Sequence, residues 1–143
     1  MKSAFNYAEC STAERLKVGC VLVKDDRIIS IGYNGMPSGW SNECEILSFF
    51  TEDGKQLPSQ IMLTKPEVLH AEENAITKLA RSTESGEGAT AFITHAPCMS
   101  CAKLLHGSGI IEVFYANRYR DDSGLDFLKE CGVKLTKTEG IKK

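Results

Sequence analysis

At 143 residues the chain is long enough for one domain with a buried core. Hydrophobic residues make up 42% and charged residues 25%, an ordinary globular composition that excludes a disordered chain. The net charge of −2 exerts no long-range pull on a polyanion and argues against a non-specific nucleic-acid binder.

The N-terminal residues 1–15 alternate polar and apolar side chains and lack the apolar core of a secretion signal. Nor does any apolar run approach the roughly 18 residues of a membrane span. A cytoplasmic location and no membrane partner are therefore expected. In such a compartment the six cysteines are expected to be reduced, so metal or redox chemistry is weighed before disulfides.

In chain order, Ala4, Phe5 and Ala8 predict a short helix over 3–9. Residues 18–23 form a continuous apolar run too short for a helix, and 27–33 a second run after Asp25-Asp26. Together they predict a hairpin whose first strand is covered on both faces. The stretch 34–66 is the least regular. Residues 34–39 are dense in turn formers, 43–50 are expected to make a helical turn or two, and 52–55 a polar turn. From His70 a stripe of Ala71, Ala75, Ile76, Leu79 and Ala80 predicts a helix ending near Ser82. A strand over 89–94 follows, then a helix carrying Cys98, Cys101, Ala102 and Leu105 and stopped by Gly107 and Gly109. A strand over 110–116, a helix over 123–131 and a last strand over 133–136 complete the chain. The order implies one α/β domain over 1–143, with a mixed five-stranded sheet covered by helices on both faces.

Two motifs carry chemistry: His70-Ala71-Glu72, and Pro97-Cys98-Met99-Ser100-Cys101. Cysteines at i and i+3 lie about 60° apart on a helix, so both sulfurs reach one point. Two thiolates and an imidazole suit Zn²⁺ and leave one tetrahedral position open, as a catalytic zinc requires to hold and acidify water. Both motifs sit at predicted helix starts, where the unpaired N–H groups favour thiolate. His70 and Glu72 are about 200° apart on an ideal helix. Both can serve one site only if the helix begins at or just before His70. Glu72 then stands beside the metal without ligating it, placed to move protons. Either motif alone is ambiguous, since a lone C-x-x-C is often a redox pair or half of a structural zinc site. Jointly they match the H-x-E…P-C-x-x-C signature of zinc nucleobase deaminases.

On these motifs the chain resembles the cytidine/deoxycytidylate deaminase superfamily, from about Arg15 to the C-terminus. The run from Gly32 to Pro37 (Gly-Tyr-Asn-Gly-Met-Pro) and Asn74, two places after Glu72, point within it to the deoxycytidylate (dCMP) deaminases. The resemblance implies the three-layer αβα cytidine-deaminase-like fold and hydrolytic deamination of dCMP to dUMP, feeding thymidylate synthesis. It implies that His70, Cys98 and Cys101 hold zinc, that Glu72 shuttles protons, that Asn34 contacts the deoxyribose, and that the Ala71 backbone bonds the pyrimidine. For the phosphate, Arg15 is the first choice, with Lys17 and Arg120 behind it, and Tyr119 is expected to stack on the base or close the pocket. It further implies a homo-oligomer (commonly a hexamer), activated by dCTP and inhibited by dTTP, with effectors near Tyr33, Asn34 and Gly35. The segment 41–66 is shorter here than in many dCMP deaminases.

Cys20 and Cys131 are expected to be core residues. Cys10, Cys44, His95 and His106 show no ligand spacing for a second metal. Three other readings compete. A deaminase of RNA or single-stranded DNA is disfavoured by the acidic balance. A non-catalytic zinc module needs a fourth protein ligand, Cys44 being the one to hand. A redox protein would pair Cys98 with Cys101.

Overall fold

The computed structural model describes residues 1–139; the last four residues of the expected domain lie outside them. Helix α1 (Lys2–Ala8) leads into β1 (Gly19–Lys24) and β2 (Arg27–Tyr33). Asp25 and Asp26, at φ 50° and 56°, make the tight two-residue turn between these strands. A second hairpin follows, β3 (Glu45–Phe50) and β4 (Gln56–Thr64). The remaining elements alternate: α2 (Ala71–Ala80), β5 (Thr90–His95), α3 (Met99–Gly107), β6 (Glu112–Asn117), α4 (Ser123–Glu130) and β7 (Lys134–Lys137).

The expected mixed five-stranded sheet is present, in the order β2-β1-β5-β6-β7. β1 runs antiparallel to β2 and β5, whereas β5, β6 and β7 are parallel and joined through α3 and α4. One face carries Leu22, Ile93 and Val113 against Ala75 of α2, Leu105 of α3 and Leu128 of α4. All six side chains are buried, and each large aliphatic contributes about 2–3 kcal/mol of apolar burial. The other face is approached by α1. Successive residues point to opposite faces: a Cβ on Gly19 would lie 2.0 Å from the Ala4 carbonyl of α1, and one on Gly32, paired with Cys20, 2.1 Å from the Ala71 carbonyl of α2.

The expectation for 43–50 is corrected. These residues form strand, not helical turns, and β3–β4 make a separate two-stranded sheet. Ile46, Phe49 and Phe50 fall at i, i+3 and i+4, a spacing that mimics a helical face. No residue of this ribbon is fully buried, so period-2 alternation, the usual mark of a strand, is absent; Ile46, Leu47, Phe49 and Phe50 are all exposed. The polar turn at 52–55 is the hairpin tip, with Gly54 at φ 80°. Pro58 within β4 is tolerated because a two-stranded ribbon has only edge strands. Among the described residues no helix is long and apolar enough to cross a membrane.

Candidate active site

The parallel strands β5 and β6 end on the side where α2 and α3 begin, the position at which open α/β sheets bind ligands. A cavity of about 430 Å³ lies there. His70 is the residue immediately before α2, as the sequence requires, with an extended backbone (φ −70°, ψ 158°). Its N–H donates to Glu73 Oε2 at 2.7 Å, which fixes the helix entry. Cys98 holds the same place before α3 (φ −69°, ψ 171°), and Cys101 is buried one turn on.

His70 Nδ1 lies 3.6 Å from Cys98 Sγ and 3.3 Å from Cys101 Sγ. Tetrahedral zinc with Zn–S of about 2.3 Å and Zn–N of about 2.0 Å has S···N edges of about 3.5 Å. The donor set therefore fits zinc in both chemistry and spacing. Among the described residues these three are the only His, Cys, Asp or Glu side chains gathered closely enough to hold a metal. Cys44, the suggested fourth ligand, is buried elsewhere with Ala13 and Val68, its sulfur 3.4 Å from Thr12 Oγ1. The structural-module reading thus loses its ligand. Cys98 and Cys101 both lie within 3.6 Å of His70 Nδ1, a third donor that a dithiol redox pair does not call for.

Charge is distributed unevenly across the cluster. Hydrogen bonds from Cys101 and His70 hold the Cys98 thiol down to about 4, while its contact with Cys98 and its burial push Cys101 up. His70 is raised to about 8, chiefly by its hydrogen bond to Cys98. Glu72 is 4% exposed. Burial pushes its carboxyl up to about 7. It borders the cavity beside the donor cluster and is not one of the three donors.

Arg15, Asn34, Ala71, Tyr119 and Arg120 all line the cavity. Arg15 Nη1 donates to Thr64 Oγ1 at 3.1 Å, and its backbone N–H donates to Glu45 Oε1 at 3.2 Å. The second hairpin thus holds the Arg15 segment. Asn34 Oδ1 accepts from the Val18 N–H at 2.8 Å and its Nδ2 donates to the Leu16 carbonyl at 2.8 Å, so this side chain braces the same segment from below. Arg120 Cζ lies 5.8 Å from the Tyr119 ring centroid. Lys17 does not line the cavity; its ammonium faces Glu9 at 4.0 Å. Tyr33 and Gly35 flank Asn34 outside the lining. The Tyr33 carbonyl accepts from Asn74 Nδ2 at 2.8 Å, and Gly35 pairs with Leu69 just before His70.

Among the lining residues that escaped the sequence reading of this site are Arg118 and His95. Arg118 precedes the Tyr119-Arg120 pair and is ion-paired with Asp122. His95 ends β5, with Nδ1 3.1 Å from Thr94 Oγ1 and its pKa lowered by burial. The triple Arg-Tyr-Arg was the available signal for the first; nothing local marked the second.

An α/β sheet that presents an imidazole and two thiols at two helix starts, beside a buried carboxylate, is the zinc site of a hydrolytic deaminase class. Residues 1–117 match the model of the cytidine and deoxycytidylate deaminase zinc-binding region. The deoxycytidylate deaminase of Saccharomyces cerevisiae is 34% identical over 136 residues, covering 94% of this chain and 42% of that protein. The phage T4 deoxycytidylate deaminase is 34% identical over 149 residues, covering 83% of this chain and 77% of that one. Among solved structures, the dCMP deaminase of cyanophage S-TIM5, in complex with dCMP and dUMP, superposes with a TM-score of 0.83 at 40% identity, covering 96% of this chain and 92% of that one. The chain belongs to the cytidine and deoxycytidylate deaminase family. It spans about two-fifths of the length of its matched yeast relatives.

Proposed function

We propose that this chain, as one domain over 1–143, hydrolyses dCMP to dUMP and ammonia. One observation carries the reading. His70 and Cys98 of the zinc-binding triad, with Cys101 buried behind them, and the buried Glu72 border a cavity that is also lined by three arginines, Arg15, Arg118 and Arg120. A base-sized site with cationic side chains suits a nucleotide carrying phosphate. The named relatives, and the dCMP and dUMP bound in the cyanophage structure, support the same substrate.

His70, Cys98 and Cys101 hold the zinc, which when bound supplies a Lewis acid that makes water nucleophilic near neutral pH. Glu72 takes one proton from the attacking water and delivers it to the ring nitrogen next to C4; it then takes the second proton from the new C4 hydroxyl and passes it to the amine, so that the C4 carbonyl forms as the C4–N bond breaks and ammonia leaves. Burial of Glu72 raises the carboxyl pKa into the range where it both accepts and donates. The Ala71 backbone meets the pyrimidine edge, Asn34 the deoxyribose, and Tyr119 closes over the base. Arg15 takes the phosphate, with Arg120 beside it. Lys17 faces Glu9 and is left out of this assignment.

Ammonia release from dCMP, CMP, deoxycytidine and dCTP, measured side by side, tests the substrate; preference for a substrate lacking the monophosphate would overturn it. Arg15→Ala is expected to raise KM for dCMP about 10- to 100-fold, the loss of one charge-assisted hydrogen bond. KM for deoxycytidine should move far less. Equal changes for both substrates remove Arg15 from the phosphate site.

The reading extends to regulation and setting. The Tyr33–Gly35 loop is tied to α2 through Asn74 and to the residue before His70 through Leu69. A dCTP or dTTP molecule bound on that loop would bear directly on the zinc helix. The exposed apolar ribbon β3–β4 supports a homo-oligomer. A cytoplasmic setting, which keeps thiols reduced, suits Cys98 and Cys101 as metal ligands.

A further inference from the structure

Two of the cavity's guanidinium groups are held by one carboxylate from a remote part of the chain. Glu52 sits at the tip of the β3–β4 hairpin, between Phe50 and Gln56. Its Oε2 accepts from Arg120 Nη1 at 2.8 Å and its Oε1 from Arg120 Nη2 at 3.3 Å. The same Oε1 lies 3.6 Å from Arg15 Nη1. The turn at the tip is braced internally: Lys55 N–H donates to Thr51 Oγ1 at 2.9 Å and Gly54 N–H to the Thr51 carbonyl at 2.9 Å.

A planar oxyanion gripped bidentately by one arginine and approached by a second is the arrangement a phosphate monoester would receive from the same pair. Arg118, the third cation, is engaged by Asp122 and takes no part. The Glu52 carboxyl is held below the usual range by its hydrogen bond to Arg120 and by Arg15, so it is ionised at neutral pH. Arg15, Arg120 and Glu52 are each about a third to a half exposed, so this contact is a weak, solvent-screened one that a stronger anion can displace.

We propose that Glu52 is a resident counter-anion which the substrate's phosphate displaces from Arg15 and Arg120, making it a specificity-determining residue for monophosphates. The inference rests on reading Arg15 and Arg120 as phosphate ligands. Binding is then an exchange: the phosphate takes the arginines, and the hairpin tip releases them. The Glu52 charge sets how strongly the site favours a phosphorylated ligand. A nucleoside, having no anion to offer, leaves the ion pair in place.

The test measures binding of dUMP and of deoxyuridine to the zinc-loaded enzyme by calorimetry at one low ionic strength, for wild type, Glu52→Gln and Glu52→Asp. Thermal unfolding confirms that each variant is folded. Glu52→Gln is expected to tighten dUMP about three- to fivefold, the scale of an exposed ion pair. Deoxyuridine should change less, and Glu52→Asp, which keeps the charge, should stay near wild type. Unchanged or weaker dUMP binding in Glu52→Gln overturns the proposal and makes Glu52 a strut that positions the arginines. Failure of the underlying phosphate reading shows elsewhere: Arg15→Ala and Arg120→Ala would then weaken dUMP and deoxyuridine equally, whatever Glu52→Gln does.

Discussion

Replacing Glu72 with Gln should lower kcat for dCMP by about 10³- to 10⁴-fold while leaving bound zinc at its wild-type level. That loss equals about 4–5.5 kcal/mol of transition-state stabilisation. The two halves of the expectation have separate causes. Gln keeps the shape and most of the packing of a side chain that is 4% exposed, so the fold has no cavity to absorb. Glu72 stands outside the donor group of His70, Cys98 and Cys101, so the metal keeps its ligands. What is removed is a carboxyl group poised by burial to exchange a proton near neutral pH. An amide accepts no proton there and returns none to the ring or the amine. Single-turnover ammonia release and metal analysis on the same preparation check both halves. Zinc lost in step with activity would make Glu72 a support of the metal site instead.

The triad and Glu72 were legible because their geometry is local. A histidine just before one helix and a C-x-x-C opening another fix donor directions within a single turn each, and the apolar stripes behind them announce both helices. The five-stranded sheet was legible for the same reason, since four of its strands carry apolar runs bounded by turn formers and the short β7 follows directly on Gly132, which ends the last helix. Residues 45–64 resisted because their side chains answer to no core: Ile46, Leu47, Phe49 and Phe50 are exposed, so burial imposes no period on the sequence. The cationic mouth resisted for a topological reason. Arg15 and Lys17 carry the same charge two positions apart, and only distant partners tell them apart. Arg15 is held by Thr64 and Glu45 of the second hairpin, whereas Lys17 faces Glu9 beyond α1. His95 and Glu52 reach the site through strand order and hairpin placement, which no short motif encodes.

Both zinc-bearing helices are seated on a glycine, and alanine at either seat should cost the fold about 3 kcal/mol and weaken zinc binding together. A Cβ on Gly32 of β2 would stand 2.1 Å from the Ala71 carbonyl and 2.5 Å from the Ala75 amide, within the first turns of α2. A Cβ on Gly124 of α4 would stand 2.1 Å from the Pro97 carbonyl and 2.9 Å from the Cys98 carbonyl carbon. Every one of these neighbours is backbone, so no side chain can swing aside. Relief requires moving α2, which carries His70 and Glu72 at its start, or the Pro97-Cys98 segment that opens α3. Overpacking of this kind costs roughly 1–3 kcal/mol and sometimes more; contacts this short to backbone belong at the upper end. The link to function lies in the direction of relief. Either shift pulls one donor away from the other two, opening S···N separations of 3.3 and 3.6 Å that match a zinc tetrahedron. Denaturant unfolding with and without zinc, with a chelator competition for affinity, measures both effects. Gly107→Ala is the internal control, because a Cβ there meets nothing within 4 Å. Stability lost at Gly32 or Gly124 with zinc affinity intact would mean that the helices yield elsewhere and the donors move as one rigid group.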